Sequence, residues 1–162
     1  MARARWIRGC VVVGLFPIIS GCDPDTAVFV EPTLEGGALS LQTSSLGVGV
    51  GGGFEAVLRL GERASGASDV TLEEVSIADV DRTRTLVANV QVTSTTSFPV
   101  SVGVDEQAMV RFDLAPEDNF GDASLAEDLC AQPVVLVAVF DGSLRGGTVD
   151  AVTEPISPDG CP

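Results

Sequence analysis

The sequence has no histidine and no tyrosine, and its nine cationic side chains are all arginine, so lysine is missing too. Its one tryptophan, Trp6, stands near the start of the chain. Each absence removes a chemistry. Without histidine there is no Ser-His or Cys-His nucleophile pair and no imidazole to hold a metal. Without lysine there is no Ser-Lys dyad and no Schiff base. No Gly-x-Ser-x-Gly elbow occurs, and the stretch Asp141-Gly-Ser-Leu-Arg-Gly146 does not keep its spacing. Carboxylate-pair hydrolysis is the catalytic route the composition leaves open, although glycan clefts usually stack sugars on Trp or Tyr. Positive charge is also scarce, nine arginines against 23 acidic residues, for a formal balance of −14. So acidic a chain is repelled by nucleic acid, and nucleic-acid binding is excluded. The expectation is a protein that is not an enzyme and has no cofactor.

What is present begins with a basic, then apolar N-terminus. Arg3, Arg5 and Arg8 precede the run Cys10-Val-Val-Val-Gly-Leu-Phe-Pro-Ile-Ile19. A basic segment followed by about ten apolar residues fits a secretory signal. A membrane-spanning helix needs roughly 20 apolar residues, and Pro17 would disturb one. The run closes on Ile19-Ser20-Gly21-Cys22. In this order the residues resemble the lipobox of bacterial lipoproteins: an aliphatic residue, two small ones, then cysteine. The resemblance implies cleavage after Gly21, a diacylglyceryl thioether on Cys22 and a membrane-anchored place in the cell envelope. It leaves open which membrane. Asp23 stands where enteric bacteria carry a retention signal for the inner membrane, a rule that varies among bacteria.

On this reading residues 1–21 are removed, and six arginines face 23 acids, a balance of −17. Cys10 leaves with the signal and Cys22 carries lipid, so Cys130 and Cys161 remain. An even pair in an exported chain is most simply one disulfide, with free thiols or an intermolecular bond as the other outcomes.

Residues 22–53 read as the lipidated cysteine and a Pro/Gly-rich tether, with an edge strand at Ala27–Val30 or Ala38–Leu41. About fifteen extended residues of it would reach roughly 50 Å, enough to hold a domain clear of the headgroups. Gly47 to Gly53 contains a formal Gly-x-Gly-x-x-Gly at Gly47, Gly49 and Gly52. A dinucleotide site needs a strand before it and a helix after it, and neither is in place. This stretch therefore reads as a flexible loop or a glycine-rich hairpin.

Residues 54–162 read as an all-β domain, an immunoglobulin-like β-sandwich. Strands are expected at Phe54–Leu60, Val70–Ala78, Thr85–Thr93, Phe98–Asp105, Val110–Leu114, Val134–Phe140 and Val149–Ile156. Phe98, Val100, Val102, Phe112, Val135 and Val137 are expected in the core. Ser124-x-x-Glu127 looks like a capping box that opens one short helical turn before Cys130. The stretch Phe98–Leu114, an apolar strand, an acidic turn and an alternating strand, resembles bacterial immunoglobulin-like domains.

Acidic loops are the positive feature left. Glu117, Asp118 and Asp122 share one with Asn119 and Gly121, and Asp79 and Asp81 flank another. They are the candidates for a calcium site, although Pro116 falls where an EF-hand needs its first ligand. Ser143-Leu144-Arg145-Gly146-Gly147 is a candidate contact loop. The expected function is a lipid-anchored, non-catalytic binding or structural module of the cell envelope, partnered by the membrane through Cys22 and by an envelope or extracellular protein. The alternatives are a calcium-dependent adhesive module and a small carboxylate-based hydrolase.

Overall fold

Period-2 hydrophobicity organises residues 27–161, the part of the chain that the computed structural model describes. The expected signal sequence, residues 1–21, and Cys22 lie outside the described residues. Ten strands and one helix follow in order: β1 (Glu31–Ser44), β2 (Gly47–Leu60), β3 (Ser68–Asp79), β4 (Thr85–Val87), β5 (Thr93–Ser94), β6 (Val100–Val102), β7 (Glu106–Leu114), β8 (Phe120–Gly121), α1 (Ala123–Cys130), β9 (Val134–Gly142) and β10 (Thr148–Val152). They form two antiparallel sheets. One has the order β1-β2-β7-β5, with β8 also on β2; the other has β10-β9-β3-β4, with β6 also on β3.

The two sheets share one core. Alternate residues face it: Phe54, Ala56, Leu58 and Leu60 from β2, Val110, Phe112 and Leu114 from β7, and Val134, Leu136, Ala138 and Phe140 from β9. In β3 the inward set shifts from Val70 to Val75 and Ile77, because a bulge between Leu72 and Glu74 changes the register. Phe112 stacks between Phe54 at 4.9 Å and Phe98 at 5.7 Å. Burying each such side chain contributes about 1.5–3 kcal/mol.

Several expectations need correction. The folded domain begins well before Phe54. Of residues 22–53, read as a tether with an edge strand at Ala27–Val30 or Ala38–Leu41, the Ala38–Leu41 strand is present within β1, but the pairing runs well beyond it. β1 and β2 form a hairpin from Glu31↔Arg59 to Ser44↔Gly47, and Ala27 and Val30 are already buried. The stretch Thr85–Thr93 is not one strand. β4 ends at Val87, Asn89 turns with φ 53°, and the chain crosses to the other sheet to form β5. Its alternation survives because Val90 and Val92 still face the core. The strands β6 and β7 that flank the acidic turn likewise belong to opposite sheets. Phe98 and Val137 are half-buried, whereas Val100, Val102, Phe112 and Val135 are buried as expected. The helix is capped by Asp122 rather than Ser124: the Asp122 carboxylate accepts the Ser124 N–H at 3.0 Å.

The last residues tie the sheets together along one flank. After β10, Ile156 exchanges two backbone hydrogen bonds with Val134 of β9. Three residues on, Asp159 donates to Leu39 O and accepts from Leu41 N on the outer edge of β1. Cys161 then closes a disulfide to Cys130 at the end of α1, with the Cα atoms 5.7 Å apart.

Candidate interaction surface

The hairpin fixes two opposite ends. The chain comes in at Glu31, beside Arg59, and the β1–β2 turn lies fourteen strand residues away. At about 3.3 Å per residue that separation is roughly 40 Å. The turns 61–67 and 142–147 lie at the first, proximal end; the β1–β2 turn and the loop 115–122 lie at the second, distal end.

At the distal end the glycine-rich stretch has a specific job. It is the outer half of β2, and the loop 115–121 lies directly on its backbone. A Cβ on Gly49 would stand 2.7 Å from the Pro116 carbonyl oxygen, and one on Gly51 would stand 2.8 Å from the Pro116 ring. Gly52 has φ +139°, and a Cβ there would overlap the Ala38 carbonyl oxygen. Glycine is needed because backbone packs on backbone. No nucleotide loop or free linker exists here: Gly47–Gly53 is a central strand, with β1 on one edge and β7 and β8 on the other.

Asn119 pins the loop from within. Its buried amide accepts the Gln91 N–H at 2.7 Å and donates to Gln91 O at 2.8 Å and Ala115 O at 3.1 Å. Its own carbonyl accepts the Val50 N–H. One side chain thereby joins the distal loop to the segment that crosses between sheets. Among the residues singled out on the acidic loop, this one is structural.

The surface this produces carries two exposed apolar side chains beside an acidic segment. Leu46, at the hairpin tip, is 85 % exposed, and Phe120, whose ring packs over Gly47, is 53 % exposed. An open groove of about 270 Å³ runs beside Phe120, lined by Gln42, Thr43, Ser44, Gly49, Pro116 and Glu117. Residues 114–130 hold five acids and no base. Asp128 is paired with Arg84 at 2.7 Å, and the Ser124 hydroxyl and N–H hold the Asp122 carboxyl below the usual carboxylate range.

No known protein family, characterised protein or solved structure matches this chain.

The calcium candidates are not brought together. Asp122 is spent on the helix N-terminus, Glu117 and Asp118 point to solvent, and no group of three or more His, Cys, Asp or Glu side chains suited to a metal occurs among the described residues. Asp79 closes the other acidic turn on itself, accepting from the Thr83 hydroxyl and N–H, both at 2.7 Å, and from the Arg84 N–H. The loop at 143–147 is held at its base, with Arg145, Gly146 and Gly147 exposed. The Ser143 hydroxyl accepts the Asp69 N–H, Leu144 packs on the core, and Arg145 stands over the Phe29 ring at 5.9 Å. Sequence reasoning missed Leu46 and Phe120. Their signal was there in the form of two large apolar residues set among turn formers.

Proposed function

We propose that the chain is a lipoprotein of the bacterial cell envelope, fixed to a membrane by lipid on Cys22, whose immunoglobulin-like sandwich is a non-catalytic binding module. The observation that carries the binding part is the exposed Leu46–Phe120 pair at the end of the domain opposite the anchored terminus. Exposed apolar residues with a polar rim mark contact sites, and this placement presents them away from the membrane. The acidic segment beside them favours a partner whose own surface is basic. The lipobox residues Ile19-Ser20-Gly21-Cys22 support the anchor, and the Cys130–Cys161 disulfide suits an oxidising compartment. Among the described residues no helix is long and apolar enough to cross a membrane.

Mass spectrometry of the protein isolated from its own membranes tests the anchor. The expected N-terminal peptide starts at Cys22 and is heavier by a diacylglyceryl group. An unmodified Cys22 in a chain cleaved elsewhere would refute the reading. For the binding part, a photo-crosslinker at position 46 is expected to trap a partner that the same probe at Glu73 does not.

A further inference from the structure

The hairpin shortens the tether, and that places the domain. If Cys22 carries lipid, as proposed above, five residue steps separate it from Ala27, which is already buried in the domain. Fully extended, those steps span about 17 Å. The headgroup layer of one leaflet takes up roughly 6 Å of this. The proximal end therefore never stands more than about 10 Å above the headgroups, and it is not held clear of them.

The side chains at that end suit such a surface. Ala27 and Val30 point into the domain, at 8 % and 5 % exposure, and between them Val28 and Phe29 are turned outward, 44 % and 42 % exposed. Arg145 lies over the Phe29 ring, so a guanidinium stands beside the apolar pair. An apolar pair with an adjacent arginine fits the boundary between acyl chains and phosphate. The same end also carries Glu31, Glu62, Asp105 and Glu106, which an anionic surface repels. Contact thus depends on the tether, which makes the encounter intramolecular.

We propose that the domain stands on the bilayer by its proximal end, with Val28 and Phe29 at headgroup level, Arg145 on lipid phosphate, and the Leu46–Phe120 surface about 40 Å above it. The chain supplies its own clean assay. Trp6 is its one tryptophan and belongs to the removed segment, so Phe29→Trp and Leu46→Trp are single-tryptophan reporters at the two ends. Val28→Trp serves as a second proximal reporter. Lipidated protein is reconstituted into phosphatidylethanolamine–phosphatidylglycerol vesicles whose acyl chains are brominated near the headgroups. The expected result is loss of about half the emission for Phe29→Trp or Val28→Trp and none for Leu46→Trp. Phe29→Ser with Arg145→Ala should abolish the quenching at position 28 while the protein still sediments with the vesicles. Protein that sediments with vesicles but shows no quenching at either proximal reporter, or equal quenching at both ends, overturns the proposal and leaves the anchor standing. Protein that does not sediment and has no lipid on Cys22 overturns both.

Discussion

Replacing Gly52 by alanine tests whether the glycine-rich stretch is packed backbone. Two penalties add. At φ +139° an L-residue is strained by about 1–3 kcal/mol. The new Cβ also meets the Ala38 carbonyl oxygen, so β1 and β2 must separate by more than an ångström, and overpacking of that kind costs about 1–3 kcal/mol. The expected loss is about 2–6 kcal/mol, a large share of the roughly 5–15 kcal/mol of a typical domain. Gly49→Ala, with ordinary φ but Pro116 in the way, should lose about 1–3 kcal/mol. Gly66→Ala is the control: nothing lies within 4 Å of its Cβ, and its effect should stay within about 0.5 kcal/mol. Urea unfolding followed by far-ultraviolet circular dichroism, with the disulfide intact, reads all three. If Gly52→Ala and Gly66→Ala unfold at the same urea concentration, the packing argument is wrong.

Cys130→Ser with Cys161→Ser opens a 31-residue loop and should lower stability by about 3–4 kcal/mol on the chain-entropy account, read by the same urea titration. Asn119→Ala leaves the Gln91 N–H without its partner and should cost about 1–3 kcal/mol, with faster amide exchange at Gln91 and Val50. The carboxyls of Asp79 and Asp122 are held below the value of 3.8, chiefly by the Thr83 and Ser124 hydroxyls respectively. Being depressed in the folded state, they add stability above that value and lose it as pH falls through their folded values. A melting curve that drops more steeply below pH 4 in the native protein than in Asp79→Asn, Asp122→Asn would bear this out, and parallel curves would count against it. Cys22→Ser should leave the full-length precursor without lipid, seen as a mass that retains residues 1–21.

The strands that face the core were legible because alternation is a direct record of burial. Val110, Phe112 and Leu114 announce themselves in any reading of the sequence, whereas Val134 through Phe140, apolar at every position, reads as a strand covered on both faces. Alternation records which way a side chain points, not which sheet it belongs to. Thr85–Thr93 keeps its period while passing from one sheet to the other, so it reads as a single strand. Gly47–Gly53, read as a flexible loop or a glycine-rich hairpin, was legible only in part. The hairpin is there, but its place as a central strand was hidden for a different reason. A strand signal is a side-chain signal, and here the side chains are supplied by Pro116 and Phe120, some seventy residues along the chain. The tether was overestimated by the same error. The distal surface was hidden because Leu46 and Phe120 become neighbours only once β8 lies against β2.

The way the C-terminus crosses from β9 to β1 also bears on the order of assembly. The bonds at Ile156 and Asp159 and the partner of Cys130 all come from residues 156–161, more than a hundred residues after β1. In a chain that emerges N-terminus first, β1 and β2 are out long before residues 156–161 can cover the outer edge of β1. A strand edge left open invites pairing with another chain. Closure of this flank therefore waits until residues 156–161 have emerged, and oxidation of the cysteine pair then holds it shut.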